Sequence, residues 1–180
     1  MARKRGTKDA YTGRSGQRAV MAELLLLECN VAIPDVDVGE DVFAFRDGRA
    51  EVAHLQVKTA QATRYKKGEG YAAKFGLPLK QLERPDNPPL YYALAVRLGR
   101  LWVDFLVICR GQVQVFWNAS RSFGSENSRS GDLELYLQFR PGRVRCGAVE
   151  LEGYRNAWEQ PPPFRPLPDV GAVADPPPHP

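Results

Sequence analysis

Asp41, Gln56 and Lys58 are the residues whose types and spacing suit phosphoryl chemistry. His54-Leu55-Gln56-Val57-Lys58-Thr59 alternates as a strand does. Leu55 and Val57 fall on one face, and His54, Gln56 and Lys58 on the other, because successive strand side chains point to opposite faces. Asp37-Val38-Gly39-Glu40-Asp41 ends a loop and feeds the strand Val42-Phe43-Ala44-Phe45. A hairpin joining the two would bring a carboxylate, an amide and an ammonium to one point. Hydrolysing a phosphodiester needs a water made nucleophilic and the growing charge on the phosphate neutralised. A Mg2+ or Mn2+ ion held by one or two carboxylates, with several waters kept, does both. On this reading Asp41 is the principal ligand. Gln56 offers its amide oxygen and Val57 its backbone carbonyl. Lys58 orients the attacking water or stabilises the pentacovalent charge. His54 lies on the same face, either as a further contact or as an ordinary satisfied polar side chain.

Glu23 is the other candidate. Gly13-Arg14-Ser15-Gly16-Gln17 opens a helix expected to reach about Cys29, with Ser15 as its N-cap. Val20, Met21, Ala22 and the run Leu24 to Leu27 make that helix apolar on nearly every side, so it should be buried. A buried carboxylate is costly unless paired, protonated or bound to a cation. Glu23 therefore either sits on a thin polar stripe or points into a polar site, where it would complete the metal shell directly or through water.

The elements around these residues follow from local signals. Asn30 to Asp37 reads as a short strand and turn broken by Pro34. Asp47-Gly48 between two strand-like runs is a hairpin signal, with the second strand from Ala50 to Thr59. Residues 60–84 place Arg64, Lys66, Lys67, Lys74 and Lys80 among Tyr65, Tyr71 and Phe75, with Gly68 and Gly70. That composition predicts a loop. It is either simply solvated or, with Arg14, a set of contacts to a nucleic-acid backbone through Arg64, Lys66, Lys67 and Lys74. Leu77 to Glu83 suggests a short helix stopped before Pro85. Leu90 to Val96 and Trp102 to Cys109 form a second hairpin through Gly99-Arg100, apolar enough to be buried on both faces. Gln112 to Trp117, Leu133 to Phe139 and Val144 to Leu151 read as strands, Ser120 to Asp132 as a loop, and Tyr154 to Trp158 as a helical turn. The order gives an α/β (α+β) fold, a mixed sheet with the first helix packed on it.

The bulk composition agrees with one domain. The chain has 180 residues, 43% hydrophobic and 26% charged, ordinary for a globular protein. Net charge +4 permits a polyanionic partner without requiring one. Residues 1–12 read as a disordered basic arm, residues 13–160 as a single domain, and residues 161–180 as a Pro-rich disordered tail that could engage a protein partner. Cys29, Cys109 and Cys146 show no metal-ligand spacing and read as reduced, buried thiols. No secretory signal or membrane-spanning run is visible, so a cytoplasmic protein is expected.

The ordered set Gly16…Glu23, Asp37-x-Gly39-x-Asp41 and Gln56-Val57-Lys58-Thr59 resembles the PD-(D/E)xK nuclease superfamily. It is most similar to the branch around archaeal Holliday-junction resolvases and small restriction-like domains of bacteria. The resemblance covers roughly residues 13–60, and Leu90 to Cys109 fits the later core strands. It implies a restriction-endonuclease-like mixed sheet flanked by helices, with catalytic positions Glu23, Asp41, Gln56 and Lys58. It also implies a Mg2+- or Mn2+-dependent endonuclease acting on nucleic acid, DNA in particular, in defence, repair or mobile-element processing. Gln56 stands where a Glu is commoner, which removes a negative charge from the metal site. The alternatives are a nuclease-fold module that binds nucleic acid or a protein without turnover, and an unrelated α+β protein in which Glu23 and Lys58 form a buried salt bridge. Double-strand cleavage would be simplest for a homodimer.

Overall fold

A computed structural model of the chain describes residues 7–36, 39–85 and 87–161. The start of the expected basic arm, the pair Asp37-Val38 and the Pro-rich tail after residue 161 lie outside the described residues. In chain order, α1 (Thr7–Leu26) leads to β1 (Asn30–Ala32), β2 (Val42–Phe45) and β3 (Ala53–Gln61). Next come β4 (Thr63–Arg64), β5 (Tyr71–Pro78), the short α2 (Leu79–Leu82), β6 (Leu90–Leu98), β7 (Leu101–Cys109) and α3 (Arg110–Ala119). The chain continues through β8 (Ser125–Asn127), β9 (Asp132–Arg140), β10 (Arg143–Cys146) and β11 (Val149–Glu150) to a 3-10 turn at Glu152–Tyr154.

These elements form the expected mixed α+β fold, but with two sheets. The first has the order β1-β2-β3-β6-β7, in which β3 and β6 run parallel and the other pairs antiparallel. The second, β11-β10-β9-β5-β4 with β8 also on β9, is antiparallel throughout. The unbroken apolar run Leu90–Val96 of β6 has a direct cause. Tyr92, Leu94 and Val96 pack toward Phe75, Leu135 and Leu137 of the second sheet. The alternate residues Tyr91, Ala93 and Ala95 share a core with Val20 and Leu24 of α1. The layers are thus α1, first sheet, second sheet. Each fully buried Leu or Phe between them contributes about 1.5–3 kcal/mol.

Several expectations are corrected. The helix α1 starts at Thr7 rather than near Gly13, so residues 7–12 of the segment expected to be disordered are helical. Ser15 is not its N-cap; it lies inside the helix and donates its Oγ–H to the Thr12 carbonyl at 3.0 Å. The helix is not buried all round either. Gln17, Val20 and Leu24 face inward, while Leu25 and Leu26 are exposed. Gly16 allows this close packing, since a Cβ there would collide with Thr59 and Trp102. The basic segment is only partly a loop, because Tyr71–Pro78 is a strand. Two of its three aromatics serve the core: Phe75 is buried and Tyr71 stacks on Phe139 with centroids 5.0 Å apart. Gln112 to Trp117 is helical, not extended. Val113, Phe116 and Trp117 follow the helical spacing i, i+3, i+4 and all turn toward the inter-sheet core.

Candidate active site

The site arises where two paired strands part. β2 and β3 pair through Val42↔Leu55, Phe43↔His54 and Ala44↔Ala53. The Asp41 N–H still donates to the Leu55 carbonyl at 2.8 Å. Before that residue the chain turns away, while β3 runs on beside β6 as far as Gln61↔Arg97. The next N–H on the open edge of β3, that of Val57, needs an acceptor. Asp41 Oδ2 provides it at 2.8 Å. The same oxygen accepts a hydrogen bond from Gln56 Nε2. The Asp41 carbonyl accepts one from Gln17 Nε2 of α1 at 2.6 Å. One residue therefore ties α1, β2 and β3 together at the point where the sheet opens.

Behind Gln56 lies a chain of buried polar groups. Gln56 Oε1 accepts from Gln81 Nε2 at 3.0 Å. Gln81 Nε2 also donates to the Gly39 carbonyl at 2.6 Å, and Gln81 Oε1 accepts from the Tyr92 hydroxyl at 3.2 Å. Gln56, Gln81 and Tyr92 are all buried. In front of Asp41 is a cavity of about 500 Å³. Arg14 and Gln17 of α1 form one wall, and Asp35 and Glu40 another. Asp41, Gln56, Val57 and Lys58 complete it.

Of the residues expected to act together, Asp41, Gln56, Val57 and Lys58 do meet at this cavity, and Arg14 joins them. Lys58 has no ion pair among the described residues. Arg14 donates to Gln17 Oε1 at 2.7 Å. Glu23 is not in the wall. Ala10, Gly13, Arg14 and Gln17, spaced as one helical stripe, face the cavity; six residues past Gln17, Glu23 lies about 120° round the axis at 3.6 residues per turn. The helix thus presents the amide of Gln17 where a Glu was expected. His54 is engaged elsewhere: its Nδ1 lies 3.1 Å from Glu40 Oε2 and its ring packs T-shaped with that of Phe43.

The remaining basic candidates stand apart from the cavity. Arg64, Lys66 and Lys67 are exposed around the β4–β5 turn of the second sheet. Lys74 lies on β5 and pairs with Glu134 at 2.6 Å. Arg64 borders a second cavity of about 480 Å³ with Tyr65 and Arg140, where the Arg140 guanidinium sits 4.9 Å over the Tyr65 ring.

The donor set suits a hard cation that keeps most of its water. Mg2+ commonly takes one or two carboxylates and leaves other positions to water and substrate phosphate. Asp41 could supply the carboxylate, with Asp35 and Glu40 in the same walls. Among the described residues, however, no three His, Cys, Asp or Glu side chains converge tightly enough to form a metal cluster. Gln56 also departs from the expected role, since its nitrogen, not its oxygen, faces Asp41. A half-turn of the carboxamide would exchange the two. Gln17, Gln81 and Tyr92 were not recognisable beforehand. Gln17 follows Arg14 at helical spacing, whereas an isolated Gln in Leu79-Lys80-Gln81-Leu82 carries no signal.

No family model matches this sequence, and no curated protein matches it. Among solved structures the chain is similar to a bacterial homing endonuclease, I-Ssp6803I, at 20% identity and a TM-score of 0.49, covering 83% of this chain and 89% of that one. No helix among the described residues is long and apolar enough to cross a membrane.

Proposed function

We propose that the protein is a metal-dependent endonuclease of the PD-(D/E)xK type that hydrolyses phosphodiester bonds in DNA. The observation that supports this reading is the meeting of Asp41, Gln56 and Lys58 in one cavity at the parting of β2 and β3, with Arg14 in its wall. Arg14 binds a non-bridging phosphate oxygen. Lys58 orients the attacking water and offsets charge on the phosphate as it grows. Asp41, fixed by the Val57 N–H and Gln56, holds the carboxylate in place. Mg2+ or Mn2+ bound by Asp41, the Val57 carbonyl and a rotated Gln56 would supply Lewis acidity and a more acidic water. A homodimer would bring two such sites to the two strands of a duplex.

Incubating the protein and Lys58→Ala with supercoiled plasmid and branched DNA, with Mg2+, Mn2+ or EDTA, tests this reading. Metal-dependent nicking that vanishes in the variant is expected. One observation favours a second reading, a module that binds DNA without cutting it: the Gln56 nitrogen satisfies Asp41 with no cation needed. Under that reading neither protein cuts, and both shift DNA with a steep salt dependence.

A further inference from the structure

We infer that Gln81 is a positioning residue that sets which end of the Gln56 carboxamide faces Asp41. The two ends of an amide are distinguished by their partners. The Gly39 carbonyl can only accept, so the Gln81 group 2.6 Å from it is the NH2. That same NH2 lies 3.0 Å from Gln56 and demands an acceptor, which makes the near end of Gln56 its oxygen. The far end, against Asp41 Oδ2, is then the nitrogen. The Tyr92 hydroxyl fits the scheme by donating to the remaining end of Gln81. Gln81 belongs to α2 and lies beyond the walls of the cavity. It therefore acts through Gln56, and its orientation keeps a donor where a divalent cation would want an oxygen. The consequence for cation binding rests on the nuclease reading; the orientation itself does not.

The experiment has two arms. In metal-free protein, the Gln56 side-chain NH2 signals are assigned in a 15N-correlated NMR spectrum by their loss in Gln56→Leu. They should shift in Asp41→Asn and shift again in Gln81→Leu. In the second arm, Mn2+ affinity is measured by electron paramagnetic resonance. Gln81→Leu frees Gln56 to turn its oxygen outward, so Mn2+ should bind about tenfold tighter, the lower end of what partners of metal ligands contribute. Adding Gln81→Leu to Gln56→Leu should change nothing further. Tyr92→Phe, which keeps the shape of the core, should move both readings the same way by less, and it decides the matter if Gln81→Leu does not fold. Gln56 signals indifferent to Gln81 and Tyr92, or an effect of Gln81→Leu that persists without Gln56, would overturn the inference. Absence of plasmid cleavage together with the expected NMR shifts would instead remove the nuclease reading and leave the orienting role of Gln81 intact.

Discussion

The Val57 N–H donates to Asp41 Oδ2 at 2.8 Å, so a side chain completes a backbone ladder that β2 has left. Stability and chemistry therefore separate at this residue. Asp41→Asn keeps an oxygen for Val57 and should stay folded while losing cleavage. Asp41→Ala leaves the Val57 and Gln56 donors without that acceptor, at a cost of about 1–3 kcal/mol for each buried group. Urea melts of the two variants, set beside plasmid nicking, check the distinction.

Lys58 makes no ion pair among the described residues and is only partly buried. Replacing it by Met should change stability by no more than about 0.5 kcal/mol, as for other substitutions away from the core. Cleavage should nevertheless disappear. Unfolding that accompanies lost activity would mean that Lys58 supports the fold instead.

Glu23 and Gln17 make a contrasting pair. Glu23→Ala should leave cleavage and Mn2+ affinity unchanged, because Glu23 lies outside the cavity wall. Gln17→Glu should tighten Mn2+ binding by adding a carboxylate to that wall. It should also cost about 1–3 kcal/mol, because a carboxylate cannot donate to the Asp41 carbonyl that Gln17 Nε2 now serves. Titrations monitored by the Mn2+ resonance distinguish the two helix positions.

Cys146 should leave a mark on alkaline stability. Burial pushes its thiol up from 9.0 to about 11, against a backbone hydrogen bond that lowers it. Below pH 9 the folded and unfolded states both hold the proton, so its contribution is fully present. Between pH 9 and about 11 the unfolded chain loses the proton first, and stability falls as pH rises. Urea melts across that range should show a shallower decline in Cys146→Ala than in the parent protein.

Legibility from sequence followed the kind of signal available. The alternation around Gln56 and Lys58 is a local pattern, and the strand and its facing survive in the structure. The second hairpin was equally plain because Leu90–Leu98 and Leu101–Cys109 are apolar at nearly every position. Val113, Phe116 and Trp117 suit a strand as a short apolar run, but their i, i+3, i+4 spacing is that of the helix they form. Tyr71 and Phe75 looked like a binding surface among lysines. They turned inward because a second sheet, whose existence no local pattern announced, needed its own core. Glu23 failed for a geometric reason: the stripe that meets the cavity is fixed by where Gly16 lets the helix approach Thr59. Gln81 owes its place to partners distant in the chain, Gly39 and Tyr92.

The parallel registration of β3 on β6, from His54↔Leu90 to Gln61↔Arg97, also dictates when the cavity can exist during synthesis. The strand bearing Gln56 and Lys58 leaves the ribosome well before the strand that supports it, and Tyr92 arrives later than Gln81. A nascent chain that stops short of Leu98 has no complete frame around Asp41. An abandoned translation product would therefore carry the chemical groups of the site without the architecture that aligns them.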